Sequence, residues 1–340
     1  MTVPFRAAIT GLLSGEGPTP ESVRGAFGSI LAGVWTPVQV GAYVVALRQN
    51  GESPEVIAAA ARAMRDAMVR VEHGFPRLLD TCGTGGDGSE SLNLSTGAAI
   101  IAAACGAPVA KHGNRAATSR AGSADVLEAL GVRLDVPPER AADVLTEANI
   151  VFMPAQAHHP AMRHAAQARK ELGVRTIFNC LGPLANPAGA THQLVGAYAD
   201  SLRSVMAETL ASLGTERAWV VHGEDALDEV SPCAPTRVTV LAGGKLDETV
   251  VTPEDFGLPR LEREAIRGGD PAFNADVLAR VLRGEAHPAA DAFVLNAAAA
   301  LVVFDGDAPR DAARRARAAL ASGKAYATLE ALRAATAKIH

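Results

Sequence analysis

Asp80-Thr81-Cys82-Gly83-Thr84-Gly85-Gly86-Asp87-Gly88, continued by Asn93-Leu94-Ser95-Thr96, is the stretch around which the chain is organised. Leu78-Leu79-Asp80 reads as a short buried strand, and Thr96 to Ala104 as the start of a helix. Between them four glycines fall within six residues. Glycine lets backbone N–H groups face a ligand with no Cβ in the way, and it tolerates positive φ. A glycine-rich turn that runs into a helix N-terminus is a natural anion site, because the first-turn N–H groups lack backbone partners and the helix dipole favours negative charge. The stretch therefore predicts a phosphate or diphosphate held on backbone amides. No Gly-Lys-Ser/Thr closes it, so it is not a Walker A loop, and it is out of register for a Gly-x-Gly-x-x-Gly dinucleotide fingerprint. Asp87 adds a constraint: a carboxylate beside a phosphate loop repels the ligand unless it holds a metal or a ligand hydroxyl.

Two further stretches complement it. Lys111-His112-Gly113-Asn114-Arg115-Ala116-Ala117-Thr118-Ser119-Arg120-Ala121-Gly122-Ser123-Ala124-Asp125 follows the apolar run 98–110 and combines three fixed cations with several hydroxyls and two glycines. That composition suits an oxygen-rich anion, with Arg115 and Arg120 as candidate phosphate contacts. His222-Gly223-Glu224-Asp225-Ala226-Leu227-Asp228-Glu229 follows a predicted strand at 218–221. Ligands of open α/β sheets gather at the carboxyl ends of strands, so this acidic loop is expected to share a cleft with the glycine loop. Asp228 and Glu229 are hard oxygen ligands suited to Mg²⁺, which often bridges to substrate phosphates.

Outward from these loops, the pattern from Arg77 onward alternates strand, turn and helix, which implies an α/β fold with a mainly parallel central sheet flanked by helices. Strands are expected at 78–80, 108–111, 150–153, 193–198 and 218–221, with antiparallel edge strands at 236–241 and 249–251 around Gly243-Gly244. Thr176 to Asn179 reads as extended. Residues 1–72 read as all helical. Thr19-Pro20, Thr36-Pro37 and Ser53-Pro54 recur at a spacing of 17 residues, each pairing an N-cap hydroxyl with a first-turn proline. Val38, Ala42, Val45 and Leu47 mark one apolar face there, and Val56, Ile57, Ala60, Met64 and Met68 another. An exposed apolar face in this segment would serve dimerisation.

The 340-residue chain is long enough for two domains and is 48% hydrophobic with few aromatics, so its core is built mainly from Ala, Val and Leu. Its net charge of −5 argues against general nucleic-acid affinity, which makes the cation cluster a site feature rather than part of a basic face. Cys82, Cys105, Cys180 and Cys233 form no C-x-x-C pair and suggest neither a zinc site nor a disulfide framework, as a reducing cytoplasm would permit. The start, Met1-Thr2-Val3-Pro4-Phe5-Arg6, lacks the basic and apolar regions of a signal peptide. No run approaches about 18 uninterrupted apolar residues, so no membrane span is expected.

Taken together and in this order, Gly-Thr-Gly-Gly-Asp, Asn-Leu-Ser-Thr, Lys-His-Gly-Asn-Arg and Leu-Asp-Glu make a highly specific set, and the chain resembles the anthranilate phosphoribosyltransferases of tryptophan biosynthesis over essentially its whole length. Met153-Pro154-Ala155, His159-Pro160-Ala161-Met162, Arg175-Thr176-Ile177-Phe178-Asn179, Gly182-Pro183-Leu184 and Asn186-Pro187 extend the likeness. The resemblance implies a small helical domain over 1–72, with a helical contribution from about 161–190, beside an α/β phosphoribosyl-donor domain over 73–340. It implies a homodimer through the helical domain. It also implies the reaction: anthranilate and 5-phosphoribosyl 1-diphosphate (PRPP) give N-(5-phosphoribosyl)anthranilate and diphosphate, with Mg²⁺. Carried over by position, the PRPP site comprises Gly83, Gly86, Asp87, Ser91, Asn93, Leu94, Ser95, Thr96, Lys111, His112, Gly113, Asn114, Arg115, Ala116, Ala117, Thr118, Ser119 and Ser123. Gly83, Asn114 and Arg169 would contact anthranilate, and Ser95, Asp228 and Glu229 would hold Mg²⁺. Ser91 stands where the family more often has threonine, and Cys233-Ala234 replaces a more polar pair.

Such a reaction needs no classical acid–base residue. Negative charge grows on the leaving diphosphate, so Lys111, Asp87, the loop amides and the metal act electrostatically, while the arylamine is already neutral. His112, His158 and His159 are read as shaping residues. Two other readings fit the same fold. A pyrimidine nucleoside phosphorylase is disfavoured by the Lys-His-Gly-Asn-Arg and Leu-Asp-Glu segments. A non-catalytic nucleic-acid binder is disfavoured by the acidic net charge and the retained Ser95, Asp228 and Glu229.

Overall fold

The computed structural model describes residues 2–116 and 120–338. It opens with α1 (Phe5–Ser14), α2 (Pro20–Leu31), α3 (Pro37–Asn50) and α4 (Pro54–Ala67). The three hydroxyl-proline pairs start three of these helices. The side-chain oxygens of Thr19, Thr36 and Ser53 accept the N–H of Ser22, Gln39 and Val56, and each following proline presets the first helical φ.

The apolar face expected on α3 needs correction. Val40, Tyr43, Val44 and Leu47 point inward, whereas Val38 is 79% exposed and Val45 47% exposed. The helix is apolar on nearly every side, so periodicity could not select the inward stripe; packing against α1 and a later helix (Arg163–Leu172) decides it. On α4 the expected face holds for Val56, Ile57, Ala60 and Met64, while Met68 lies beyond the helix and is half-buried.

The remainder runs β1 (Leu79–Asp80), α5 (Leu94–Ala104), β2 (Val109–Gly113), α6 (Ser123–Ala129), α7 (Ala141–Ala148), β3 (Ile150–Pro154), α8 (Ala155–His158), α9 (Arg163–Leu172) and α10 (Phe178–Leu184). Then follow β4 (His192–Gly196), α11 (Leu202–Ser212), β5 (Arg217–Gly223), β6 (Thr236–Ala242), β7 (Lys245–Val251), α12 (Pro271–Leu282), α13 (Ala290–Asp305), α14 (Pro309–Ala321) and α15 (Lys324–Ala337). The seven strands form one sheet in the order β3-β2-β1-β4-β5-β6-β7. The β3 to β5 pairings are parallel, and β6 and β7 add antiparallel at one edge. The β6–β7 turn uses Gly243 and Gly244 at φ +57° and +74°, as a tight hairpin turn with two positive φ angles requires.

Thr176 to Asn179 is not extended, as expected, but leads directly into α10. The Asn179 side-chain oxygen accepts the Thr176 N–H at 3.0 Å and closes a starting turn. Gly182 and Pro183 are poor helix formers, yet both lie within α10. Pro183 removes a backbone donor only near the end of a seven-residue helix, and buried Phe178, Leu181 and Leu184 hold that helix in place.

Alternation along the strands divides the interior. Leu194, Trp219 and Val221 join a cluster with α5, α13 and α15; Val195, Ala218 and Val220 join α2, α3, α4, α9, α10 and α11. The N-terminal helices therefore share one core with a face of the sheet. Arg65 reinforces this, donating to Leu184 O at 2.7 Å and Leu213 O at 3.0 Å. Among the described residues no single helix is long and apolar enough to cross a membrane.

Candidate active site

The strand order reverses at β1: the chain passes to β2 and β3 on one side, and β4 and β5 lie on the other. The crevice beyond the carboxyl ends at such a switch point is where open α/β sheets bind ligands. The glycine loop leaves β1 there, and the acidic segment leaves β5. Thr84 N–H donates to Gly196 O at the end of β4 at 2.8 Å, and Thr84 Oγ1 accepts the Tyr198 N–H at 2.9 Å. Gly85 N–H donates to Asp228 Oδ2 at 2.9 Å, and Asp228 N–H donates to Asp87 Oδ2 at 3.2 Å. The acidic segment lies directly over Gly196, where any side chain would run into the Asp228 carbonyl. The expected shared cleft therefore exists. Not every loop amide faces it, however, since those of Thr84 and Gly85 are already engaged by the protein.

At the start of α5, Ser95 N–H donates to Glu229 Oε1 at 3.0 Å. Asn93 does not cap the helix with its side chain. Its Nδ2 donates to Ala121 O at 3.1 Å, and its Oδ1 accepts from Asn274 Nδ2 at 2.9 Å. Among the described residues Thr96 Oγ1 is buried without a hydrogen-bond partner. Leu94 belongs to the core, and Ser91 Oγ accepts from Ser89 Oγ at 3.0 Å.

Lys111 ends up deep beneath the loops, 2% exposed, with Nζ donating to Thr81 O at 2.9 Å and to Thr81 Oγ1 at 3.2 Å. Its buried countercharge is Asp80, which sequence reasoning missed. Asp80 accepts the His112 N–H at 3.2 Å and Asn186 Nδ2 at 2.7 Å, so it ties β1 and β2 to the turn after α10. Burial pushes its carboxyl up to about 6, against the opposing pull of Lys111. The available signal was an acid directly after two leucines in a strand.

His112 Nδ1 lies 3.1 Å from Gly182 O, and its ring is 5.0 Å from that of His159. Burial pushes His112 down to about 3 and His159 to about 4, so both are neutral at pH 7, as shaping residues would be. Gly113 is needed because a Cβ would lie 2.7 Å from the Phe152 ring. Asn114 Oδ1 accepts the Arg115 N–H at 2.8 Å, and the Ala116 N–H donates to Asp125 Oδ2 at 2.9 Å. The Arg115 guanidinium is engaged by Asp125 at 3.0 Å and Glu128 at 2.8 Å, turned to protein carboxylates rather than left open for phosphate. Arg120 is exposed, and half-buried Ser123 opens α6. Ala117, Thr118 and Ser119 lie outside the described residues.

Arg169 sits in the last turn of α9 with its guanidinium 5.5 Å from the Phe178 ring centroid. Phe178 opens α10, so Arg169 packs against the start of that helix. Among the described residues it makes no direct bond to Gly83 or Asn114. Arg175, also missed, stacks 4.0 Å above the Tyr198 ring and donates to Gly86 O, while Arg48 of α3 donates to the Arg175 carbonyl.

The electrostatics converge on the acidic segment. Burial, then the Asp87 and Glu229 charges, hold the Asp228 carboxyl well above the usual range. Burial pushes Glu229 up to about 7, with Lys111 and the Ser95 N–H opposing. Carboxylates crowded in this way fit a divalent cation, which removes their mutual repulsion. Among the described residues no three His, Cys, Asp or Glu side chains form a self-sufficient metal cage. Mg²⁺ is commonly held by one or two carboxylates together with substrate phosphates and water.

Residues 75–326 match the family described as "Glycosyl transferase family, a/b domain", and residues 6–68 its "helical bundle domain". The chain is 50% identical to the anthranilate phosphoribosyltransferase of Methylobacterium radiotolerans over 96% of its length and 95% of the relative's. It is 49% identical to that of Methylocella silvestris, over 94% and 92% of the two chains. The crystal structure of the Thermus thermophilus anthranilate phosphoribosyltransferase superposes with a TM-score of 0.92 at 45% identity, covering 97% of this chain and 99% of that one. The Saccharomyces cerevisiae enzyme in complex with PRPP and Mg gives a TM-score of 0.91 at 28% identity, with 98% of each chain covered. The agreement spans nearly the whole chain, and this chain belongs to the anthranilate phosphoribosyltransferase family.

Proposed function

We propose that the cleft transfers the 5-phosphoribosyl group of PRPP to the amine of anthranilate, releasing diphosphate. One observation carries the reading. Buried Lys111, the Asp87–Asp228–Glu229 carboxylates and the first turn of α5, whose Ser95 N–H holds Glu229, all meet at the switch point of the sheet. Charged groups gathered there in this way suit a diphosphate and a divalent cation.

Ser95, Asp228 and Glu229 would hold Mg²⁺, which when bound supplies positive charge to the leaving diphosphate. The chain's own residues do the rest. Remaining amides of the glycine loop receive phosphate oxygens, with Gly83, Gly86, Asn93, Leu94, Ser95 and Thr96 forming the wall and Ser91 and Ser123 its edges. Lys111 stabilises the charge that grows as the C–O bond breaks, and Asp87 orients the donor. His112, Gly113, Asn114 and the segment from Arg115 to Ser119 complete the donor site. Gly83, Asn114 and Arg169 receive anthranilate, the guanidinium fork matching its carboxylate. Neutral His112 and His159 shape the pocket and transfer no proton.

Two further readings accompany this one. An exposed stripe of Val38, Ala42 and Val45 at helical spacing on α3 supports a homodimer through the N-terminal helices. Four free cysteines support a cytoplasmic setting. The reaction is tested by the loss of anthranilate fluorescence with PRPP and Mg²⁺; no consumption by the folded protein would refute it.

A further inference from the structure

Asn296 stands in the middle of α13 with no exposed surface. Its Oδ1 accepts the N–H of Val230 at 3.0 Å, and its Nδ2 donates to the Val230 carbonyl at 3.0 Å. The same Nδ2 donates to Ala292 O at 3.1 Å, one turn earlier on the helix. One carboxamide thus takes both backbone groups of Val230, the residue immediately after Glu229, as a neighbouring strand would.

The surroundings make this conspicuous. From Ala292 to Phe304 every α13 side chain is buried, and Asn296 is the sole polar one among them. An amide buried there without partners would be strongly destabilising, so its position is specified by the bonds it makes. A single buried polar residue on an otherwise apolar helix fixes register.

The same helix also sets the opposite wall of the site. One turn before Asn296, the Phe293 ring lies against Gly97 of α5, where any side chain would run into the ring and into Leu278. Gly97 is two residues after Ser95, whose N–H holds Glu229 Oε1. Through Phe293 the helix therefore locates Ser95, and through Asn296 it locates the backbone that carries Asp228 and Glu229. The next residue is tied as well: Ser231 N–H donates to Thr236 Oγ1 at 2.8 Å.

We propose that Asn296 is a positioning residue for the acidic segment. By clamping Val230 it sets the direction in which Asp228 and Glu229 present their oxygens to a divalent cation shared with the donor's diphosphate. This rests on the reading of Asp228 and Glu229 as the metal-binding pair. Removing partners that orient metal-binding side chains lowers metal affinity about 10–100-fold, whereas a purely structural residue lowers stability and leaves that affinity unchanged.

The test uses Asn296→Leu, which keeps the volume and removes both bonds to Val230. Thr336→Val serves as a control: it removes a buried hydroxyl that bonds Leu332 O, on a helix that carries none of the proposed metal contacts. Mg²⁺ is titrated in the presence of inorganic diphosphate, with binding followed by the rise in melting temperature and by calorimetry; turnover is measured separately. The expected result is a rise of about tenfold or more in the Mg²⁺ half-saturation of Asn296→Leu, an unchanged KM for anthranilate, and a wild-type Mg²⁺ response in Thr336→Val. A folded Asn296→Leu with the wild-type half-saturation overturns the inference, as does an equal shift in Thr336→Val. If Asn296→Leu does not fold, Asn296→Ser, which leaves room for a bridging water, is held to the same criterion. The double variant Asp228→Ala/Glu229→Ala separates the two claims. Should it keep a wild-type Mg²⁺ response, the metal pair itself is misassigned; should it lose that response while Asn296→Leu keeps it, only the role of Asn296 fails.

Discussion

The amide N–H of Ser95 points at Oε1 of Glu229, 3.0 Å away, and joins the first turn of α5 to a segment 134 residues later in the chain. A helix N-terminus offers unpaired N–H groups and a positive dipole end. Here it receives a carboxylate that Lys111 also attracts. The proposed metal site and phosphate site are thus one electrostatic unit.

The first consequence concerns the acidic pair. Asp228→Ala with Glu229→Ala should abolish Mg²⁺-dependent turnover, a loss of at least about a hundredfold, since the metal supplies several kcal/mol of charge stabilisation. The fold should survive, because the substitutions relieve carboxylate repulsion. Circular dichroism and a steady-state assay against Mg²⁺ concentration check both statements. Full activity in the variant would remove the metal role.

Arg169→Ala should raise the KM for anthranilate on the order of 10-fold or more and leave that for PRPP nearly unchanged, as expected when one charge-assisted fork is lost. Equal effects on the two constants would count against a carboxylate clamp.

A pH dependence follows from Glu229. Its carboxyl titrates near 7 in the folded chain against 4.5 ordinarily, so the folded state binds this proton more tightly. The resulting stabilisation is complete below about 4.5 and is lost as pH rises through about 7. In chelator, wild type should therefore fall relative to Glu229→Gln between pH 5 and pH 8, by on the order of several degrees in Tm. His112 and His159, held neutral by burial, push the other way at acid pH, but they do so in both proteins and cancel in the difference. A pH-independent gap between the two melting curves would contradict the assignment.

Gly196→Ala should cost on the order of 1–3 kcal/mol or more, because the new methyl must displace the Asp228 backbone from the end of β4. The same variant should weaken Mg²⁺ dependence. Gly74→Ala, where an added Cβ has nothing within 4 Å, is the matched control and should be near neutral in chemical denaturation.

Val38→Glu tests association. Val38 is 79% exposed on α3. If its stripe is covered by a second copy, a buried charge there should convert a dimer to a monomer in light scattering, with the monomer's circular dichroism unchanged. An unaltered mass would place the interface elsewhere.

Much of this molecule is legible in its local chemistry alone. The hydroxyl-proline pairs at Thr19, Thr36 and Ser53 start helices because capping and a preset φ act within four residues. The glycines of 83–88 likewise predict a turn with positive φ, and Gly85, Gly86 and Gly88 adopt it. Fit across the interior could not be read in this way. Asp80 beside Lys111, Asn296 on Val230, the inward stripe of α3 and the helix at 178–184 are each decided by partners dozens to hundreds of residues away. Composition and spacing report what a side chain is able to do. Which buried group it must satisfy is settled only when the sheet brings β1, β4 and β5 to one edge and leaves no water to do it instead.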